Sequence, residues 1–391
     1  MPILKHIKIV FLKALFSSHN LSCFYERISF EERKINLPKN IKTMGNKFVC
    51  VIRDIPGYLT LKEQKSDPKL KFHRVKTLKG YLIELTNYRT IDAYLNANFG
   101  TKSRSNLRRY TNRLEKCFDI SYVCYWGDIS KEEYLNMFTV LRDLLQRRFV
   151  EKREVNYELQ HLEEFQLEVY DLILKKEASL YVIYEQQKPI SIRINLFKDK
   201  LSFYMLSCYD IDYAKFHLGS IDMLKNIEWC IANHMLAYDL LKGYEYYKKN
   251  WMTKTFNYYN HIIYGTGKTI TLYAYYQKIK TQFRYAIYHR LKAYQIDKAF
   301  RKIKQVGYSF LHKNHIEPEL KIIATSYFNA SDAVEIAIEE EKYHFLKKNV
   351  FDFLFISQEQ LKDIKVFKAF DAVNHFQIVG KKNSYSFLLV R

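Results

Sequence analysis

Glycine and proline are scarce, at 11 and 6 of 391 residues, about 4% where globular chains average roughly 12%. That scarcity excludes collagen-like and low-complexity chains and most loop-rich β-sandwiches, and it favours long helices and well-formed strands. No apolar run of about 18 residues occurs, so no transmembrane helix is expected. The six cysteines form no C-x-x-C pair and share no zinc spacing with histidine, so no metal is expected. Cys208 and Cys230 sit among apolar neighbours and read as small core residues. A reducing cytoplasm is the expected home. Two enzyme signatures are missing as well. There is no G-x-S-x-G for serine hydrolysis, and GTGKT at 265–269 lacks the P-loop spacing.

Acid is also short: 42 Asp and Glu face 63 Lys and Arg, a formal charge of +21. Such a balance implies a polyanionic neighbour, whether nucleic acid, nucleotide, anionic glycan or lipid headgroup. A second source of the same excess is codon bias, since Lys, Ile, Asn, Tyr and Phe crowd the chain and Tyr alone numbers 33. At the amino terminus, Lys8 and Lys13 interrupt an apolar run that makes a poor signal peptide. On a helical wheel Ile3, Ile7, Val10, Phe11, Ala14 and Leu15 share a face. That face suits either the protein's own core or an anionic membrane surface.

Residues 47–53 and 79–86 read as strands. Thr90 is placed to cap a helix from Ile91 to about Phe99, and a second helix covers 102–116. Ile120 to Trp126 predicts a strand, 130–176 helix, and 179–185 with 190–197 a hairpin across the turn QQKP. A strand at 201–209 precedes an irregular stretch, a helix opened by Gly219, and a strand at 237–241. A long helix is expected at 275–304, with Ile279, Phe283, Ile287, Leu291 and Tyr294 on one side. Residues 268–305 hold ten Lys or Arg and one acid, Asp297, which suits a solvated face or a docking surface for acidic polymer or membrane. A break at Glu317–Pro318 starts a tail with strands expected near 320–326, 351–356 and 375–390.

The order strand, glycine, helix, strand at 201–241 is the most informative stretch. A glycine at a strand-to-helix junction lets backbone amides approach an anion, and the helix dipole favours it there. His217, Leu218, Gly219, Ser220 and Ile221 are therefore the candidate phosphate or pyrophosphate loop. The basic helix 102–116 carries Lys102, Arg104, Arg108, Arg109, Arg113 and Lys116 against one acid, Glu115. It suits an anionic acceptor, a nucleic-acid backbone, or plain solvent.

Four segments then carry a family likeness: FGTKSRSNLRRYTNRLEK (99–116), SLYVIYEQQKPISIRINLF (179–197), YMLSCYDIDYAKFHLGSIDM (204–223) and YDLLKGYEYYKKNW (238–251). Together they resemble the acetyltransferase domain of the CelD type, a branch of the GNAT superfamily related to Fem-type aminoacyl transferases. The matching residues are Arg104, Asn106, Leu107, Arg108 and Arg109; Tyr209, Asp210 and Tyr213; Gly219; and Asp239, Gly243, Tyr247, Lys248 and Trp251. The family often has Pro-Gly before the helix, where this chain has Leu218–Gly219.

The resemblance implies an α+β fold: a GNAT-like mixed sheet flanked by helices in two GNAT-like lobes, plus a small carboxy-terminal mixed unit. The implied organisation is an amphipathic extension at 1–44, a degenerate lobe at 45–175 and an acyl-CoA-binding lobe at 176–265. A basic helical segment at 266–316 and a small α/β unit at 317–391 complete it. The implied chemistry is N-acyl transfer from acyl-CoA, chiefly acetyl-CoA, to an amine of a sugar nucleotide, an envelope glycan precursor or another small polar acceptor. Tyr247, Lys248, Asp239 and Asp210 are the implied catalytic candidates, with Glu245 a further possible base. Arg104, Arg108, Tyr209 and Tyr244 are those for the acceptor. Aminoacyl-tRNA as donor is the alternative, and a non-enzymatic polyanion- or membrane-binding role on the same scaffold is another. The expected place is cytoplasmic, with the inner membrane face as a peripheral site.

Overall fold

A computed structural model describes residues 5–17, 21–37, 47–64, 70–153, 159–243, 246–296, 302, 305–306, 319–323, 333–370 and 375–390. The chain divides into two compact units, one of residues 1–89, 196–205 and 230–301, the other of 90–195, 206–229 and 302–391.

The first unit contains β1 (Lys5–Val10), α1 (Phe11–Phe16), β2 (Tyr25–Phe30), β3 (Arg33–Lys34), β4 (Phe48–Pro56), β5 (Thr60–Glu63) and β6 (Lys71–Glu84). The chain returns to it for the start of β10 (Leu201–Tyr209), then for β11 (Ala237–Lys242), α7 (Tyr246–Trp251), β12 (Lys254–Tyr264) and α8 (Lys268–Ala293). Its main sheet runs β1-β4-β12-β6-β11-β10, with β3-β2-β5 as a small second sheet. The amino-terminal segment is a strand followed by one short helix, not the continuous helix of the wheel. Lys5–Val10 pairs in parallel with Phe48–Arg53, which satisfies a backbone that β-branched Ile7, Ile9 and Val10 already bias toward strand. Phe11, Ala14 and Leu15 of α1 are buried in the protein itself.

The second unit contains α2 (Ile91–Asn98), α3 (Thr101–Cys117), β7 (Ile120–Tyr125), α4 (Lys131–Lys152), α5 (Leu159–Leu174), β8 (Ala178–Glu185), β9 (Lys188–Lys198), the end of β10 and most of α6 (Leu218–Ala232). Its tail adds β13 (Glu319–Ile323), β14 (Ala333–Ile336), α9 (Lys347–Ser357), β15 (Lys365–Ala369), β16 (His375–Val379) and β17 (Ser384–Val390). Strands β10-β9-β8-β7 line up in one sheet, and the tail forms a second sheet of order β13-β17-β16-β15-β14. Thr90 caps α2 as expected, its Oγ1 accepting from the Ala93 amide at 3.2 Å. Residues 351–356 are helix, contrary to the strand reading. An apolar run of that length is ambiguous by itself, and Val350, Phe351, Phe353 and Leu354 become the buried stripe of α9. That stripe packs on Leu114, Cys117, Phe118, Tyr213 and Phe216, joining the tail to α3 and the turn before α6. The fold is of the α+β kind expected: the main sheet is mixed, with the β1/β4 and β10/β11 pairs parallel, helices flank the strands, and the tail sheet is antiparallel.

Candidate functional site

The β10–α6 junction is built by local rules. Asp210 ends β10 and caps a 3-10 turn at Ile211–Phe216, accepting from the Asp212 amide at 3.1 Å. His217 then takes a left-handed conformation (φ 55°), which turns the chain into α6. Its carbonyl accepts from the amides of Ser220 (2.7 Å) and Ile221 (3.2 Å). The earlier amides, of Leu218 and Gly219, are the donors that helix geometry leaves for an external acceptor. The side chains of Leu218 and Ile221 are core, each 0% exposed. Gly219 is required by packing: a Cβ there would lie 2.8 Å from Cε1 of Tyr209. The Arg148 guanidinium stands 4.8 Å from the Tyr209 ring centroid. Tyr110 stacks on His217 with centroids 4.0 Å apart. Burial of that imidazole and nearby Arg109 hold its pKa below the ordinary histidine value, so the ring is neutral at neutral pH.

A buried polar network pins α6 beneath this junction. Asp222 (0% exposed) accepts from Arg193 Nε at 2.8 Å and also pairs with its Nη2. Ser207 of β10 donates to the same carboxylate at 3.0 Å. Asn226 donates to Asp222 Oδ1 at 3.1 Å and accepts from Asn195 at 2.8 Å. Both partners of the ion pair are fully desolvated and hydrogen-bonded, the arrangement a buried charge requires.

A second network surrounds Asp210. Arg147 of α4 donates from Nη1 to Asp210 (2.8 Å) and from Nη2 to Asp212 (2.9 Å), while Lys188 reaches Asp210 at 3.1 Å. Burial alone would raise the Asp210 pKa, but Arg147 and Lys188 bring it below the ordinary carboxylate value. Asp212 is raised, by burial first and then by the charge of Asp210. Asp210 is thus an ionised anchor of the turn.

The basic helix separates its arginines. Arg104 folds back on the helix entrance, donating to the Phe99 carbonyl at 2.6 Å. Arg108 pairs with Asp92 at 3.0 Å on an exposed face. Further along, Ser105, Arg108, Arg109, Asn112, Arg113, Lys116 and Gln358 line an open groove of about 370 Å³ with four cations and no carboxylate among its walls.

In the first unit, Asp239 is 1% exposed. Its Oδ2 accepts from Tyr58 at 2.8 Å and Tyr258 at 3.3 Å, and its Oδ1 from the Leu241 amide at 2.7 Å. That last bond closes a bulge in which Leu241 has φ 61° and the register against β6 shifts. Burial raises the Asp239 pKa to about 7 against the pull of these donors and of Lys248. Lys248 is itself buried, donating to the Lys242 carbonyl at 3.2 Å, with the Tyr204 ring 5.8 Å from its Nζ. Tyr247 lies on the same short helix α7. Tyr244 and Glu245 fall outside the described residues. Among the described residues, no cluster of three or more His, Cys, Asp or Glu is placed to hold a metal.

Parallel strands β10 and β11, joined through α6, pair only from Leu201–Phe203 to Ala237–Asp239. Residues 101–249 match the family described as an acetyltransferase (GNAT) domain. No curated protein matches the sequence. Among solved structures, the chain is similar to the C-terminal DUF2156 domain of a putative lysylphosphatidylglycerol synthetase from Agrobacterium fabrum, at 10% identity over 55% of this chain and 68% of that one, TM-score 0.38. It is similar to L-PGS from Bacillus licheniformis at 12% identity, 59% and 73% coverage and TM-score 0.36. FemX follows at 11% identity, 56% and 72% coverage and TM-score 0.40. Likenesses this distant say nothing of substrate.

Several site residues had no signal in the sequence. Arg147 meets Asp210 across 63 positions and Tyr58 meets Asp239 across 181. Asp212 was the accessible one, two residues beyond Asp210 in the same turn as Tyr213.

Proposed function

We propose that the chain is an acyltransferase that takes an acyl group, chiefly acetyl, from acyl-CoA and places it on an amine. The observation that carries this reading is the β10–α6 junction. There the Leu218 and Gly219 amides head a helix whose Leu218 and Ile221 side chains are buried in the core. Such a terminus suits a pyrophosphate. The pantetheine would hydrogen-bond to β10 beyond Phe203, where pairing with β11 has ended. A neutral amine attacks the thioester carbonyl, the C–S bond breaks, and the thiolate takes a proton as it leaves. Since the thioester is already activated, alignment and oxyanion stabilisation supply most of the acceleration.

For the proton from the acceptor ammonium, Asp239 is the proposed base, its pKa of about 7 being matched to neutral pH. Lys248 beside it holds the local charge, and Tyr247 is the proposed acid for the thiolate. Asp210 is proposed to position the β10–α6 turn through Arg147 rather than to move a proton. Tyr209 backs the donor loop, and the four-cation groove of α3, Arg108 included, is proposed to hold an anionic acceptor such as a sugar nucleotide. The same groove favours a second reading, aminoacyl-tRNA as donor, because a wall of three arginines and a lysine suits a phosphate backbone equally.

Calorimetric titration with acetyl-CoA and CoA tests the first reading, repeated on Gly219→Glu with circular dichroism to confirm its fold. Binding to the native chain that the variant loses supports the donor loop. No heat from short- or long-chain acyl-CoA overturns acyl-CoA as donor, and retention of charged tRNA would then favour the second reading.

A further inference from the structure

Helix α8 is apolar on two opposite faces. The inward face sets Ile270 and Ala274 against Val49, Val51, Val75 and Ile262 of the sheet, and His289 reaches the Thr77 carbonyl at 2.7 Å. The stripe Leu272, Tyr276, Ile279, Phe283, Ile287 and Leu291, spaced four, three, four, four and four residues apart, points the other way. Leu272 is 72% exposed and Phe283 66%. A surface helix normally turns one such stripe inward and shows water a polar face. Scattered apolar side chains on a surface need no explanation, but a continuous ridge of six does.

The charge along the same helix is of one sign. Residues 268–293 contain Lys268, Lys278, Lys280, Arg284, Arg290 and Lys292 and no Asp or Glu. Strand β1 runs alongside, the Tyr273 hydroxyl lying 3.1 Å from His6 Nδ1, and brings exposed Lys5 and Lys8 to that neighbourhood. We infer that the outward face of α8 docks on an anionic phospholipid surface, with the apolar ridge entering the headgroup and acyl boundary and the flanking Lys and Arg meeting lipid phosphates. Charge decides between occupants. A second copy of the chain, related by a two-fold axis, would set this cationic face against itself. A nucleic acid would neutralise the cations and leave six large apolar side chains in water. An anionic bilayer takes both at once. The inference is independent of which acyl donor the GNAT-type domain uses.

Co-sedimentation of the full chain with phosphatidylcholine vesicles, with and without phosphatidylglycerol, is the test. The native chain should bind the anionic vesicles and not the zwitterionic ones. Leu272→Asp/Phe283→Asp should lower the partition coefficient by about tenfold or more, and Lys280→Glu/Arg284→Glu should do so most at about 0.01 M salt, where the Debye length is about 30 Å. All four positions are solvent-facing, and thermal unfolding of each variant checks the fold. Absence of binding to anionic vesicles overturns the inference, as does binding that neither variant weakens. So does a dimer, seen by light scattering, that the Leu272→Asp/Phe283→Asp change dissociates while vesicle binding is unchanged. Binding to an oligonucleotide that depends on Lys280 and Arg284, without vesicle binding, would assign the face to nucleic acid instead.

Discussion

At the scale of single residues, Asp239 makes the sharpest claim. Its carboxyl is buried beneath two tyrosine hydroxyls and a backbone amide, and its pKa is raised to about 7. An unfolded aspartate titrates near 3.9. Between those two values the folded protein holds a proton that the unfolded chain has released, so stability falls as pH rises from about 4 to about 7, by at most about 1.4 kcal/mol per pH unit. Asp239→Asn should flatten that slope in urea melts run across the range. An unchanged slope would mean that Asp239 is ionised in the fold. The same variant, assayed for acyl transfer, should lose the ascending limb of the pH–rate profile if Asp239 takes the acceptor proton.

At the scale of elements, α6 is held by charge as well as by apolar packing. Asp222 neutralises an arginine that is 2% exposed, and Ser207 ties the same carboxylate to β10. Asp222→Ala strands the Arg193 guanidinium in the core and should cost about 3–5 kcal/mol, read as a shift of the denaturation midpoint. Replacing both partners by apolar residues, Arg193→Met/Asp222→Leu, should recover most of that loss, because the cost is the unpaired charge and not the missing bond. If the double variant is no better than the single one, the network does more than cancel charge. The helix of the basic run behaves differently. Its cations face solvent or the open groove, and single substitutions there should barely move stability.

At the scale of the whole molecule, the formal charge of +21 has two partly separate seats among the described residues, the α3 groove and the α8 face. Groove contacts to a phosphodiester backbone would show as counterion release. The slope of log K for deacylated tRNA against log salt should fall by about one for each cation removed, hence by about two in Arg109→Ala/Lys116→Ala. A slope that does not change would leave the groove free of nucleic acid. No helix among the described residues is long and apolar enough to cross a membrane.

Much of this was legible from local chemistry. The hairpin of β8 and β9, the Thr90 cap, the helix carrying Arg108 and the glycine at the head of α6 all follow from short-range patterns, because turns, caps and periodicity involve residues a few positions apart. Local pattern also revealed the stripe Ile279, Phe283, Ile287 and Leu291. It could not say that this stripe faces outward, since α8 has a second apolar face and only packing against β4, β6 and β12 selects between them. The run at 351–356 became helix for the same reason: burial against α3 and the turn before α6 settled what composition left open. Nor does any short-range rule bring Tyr58 to Asp239, Arg147 to Asp210 or Arg193 to Asp222. Those pairs are set by strand order and by the need to neutralise each buried charge, and they belong to the folded chain alone.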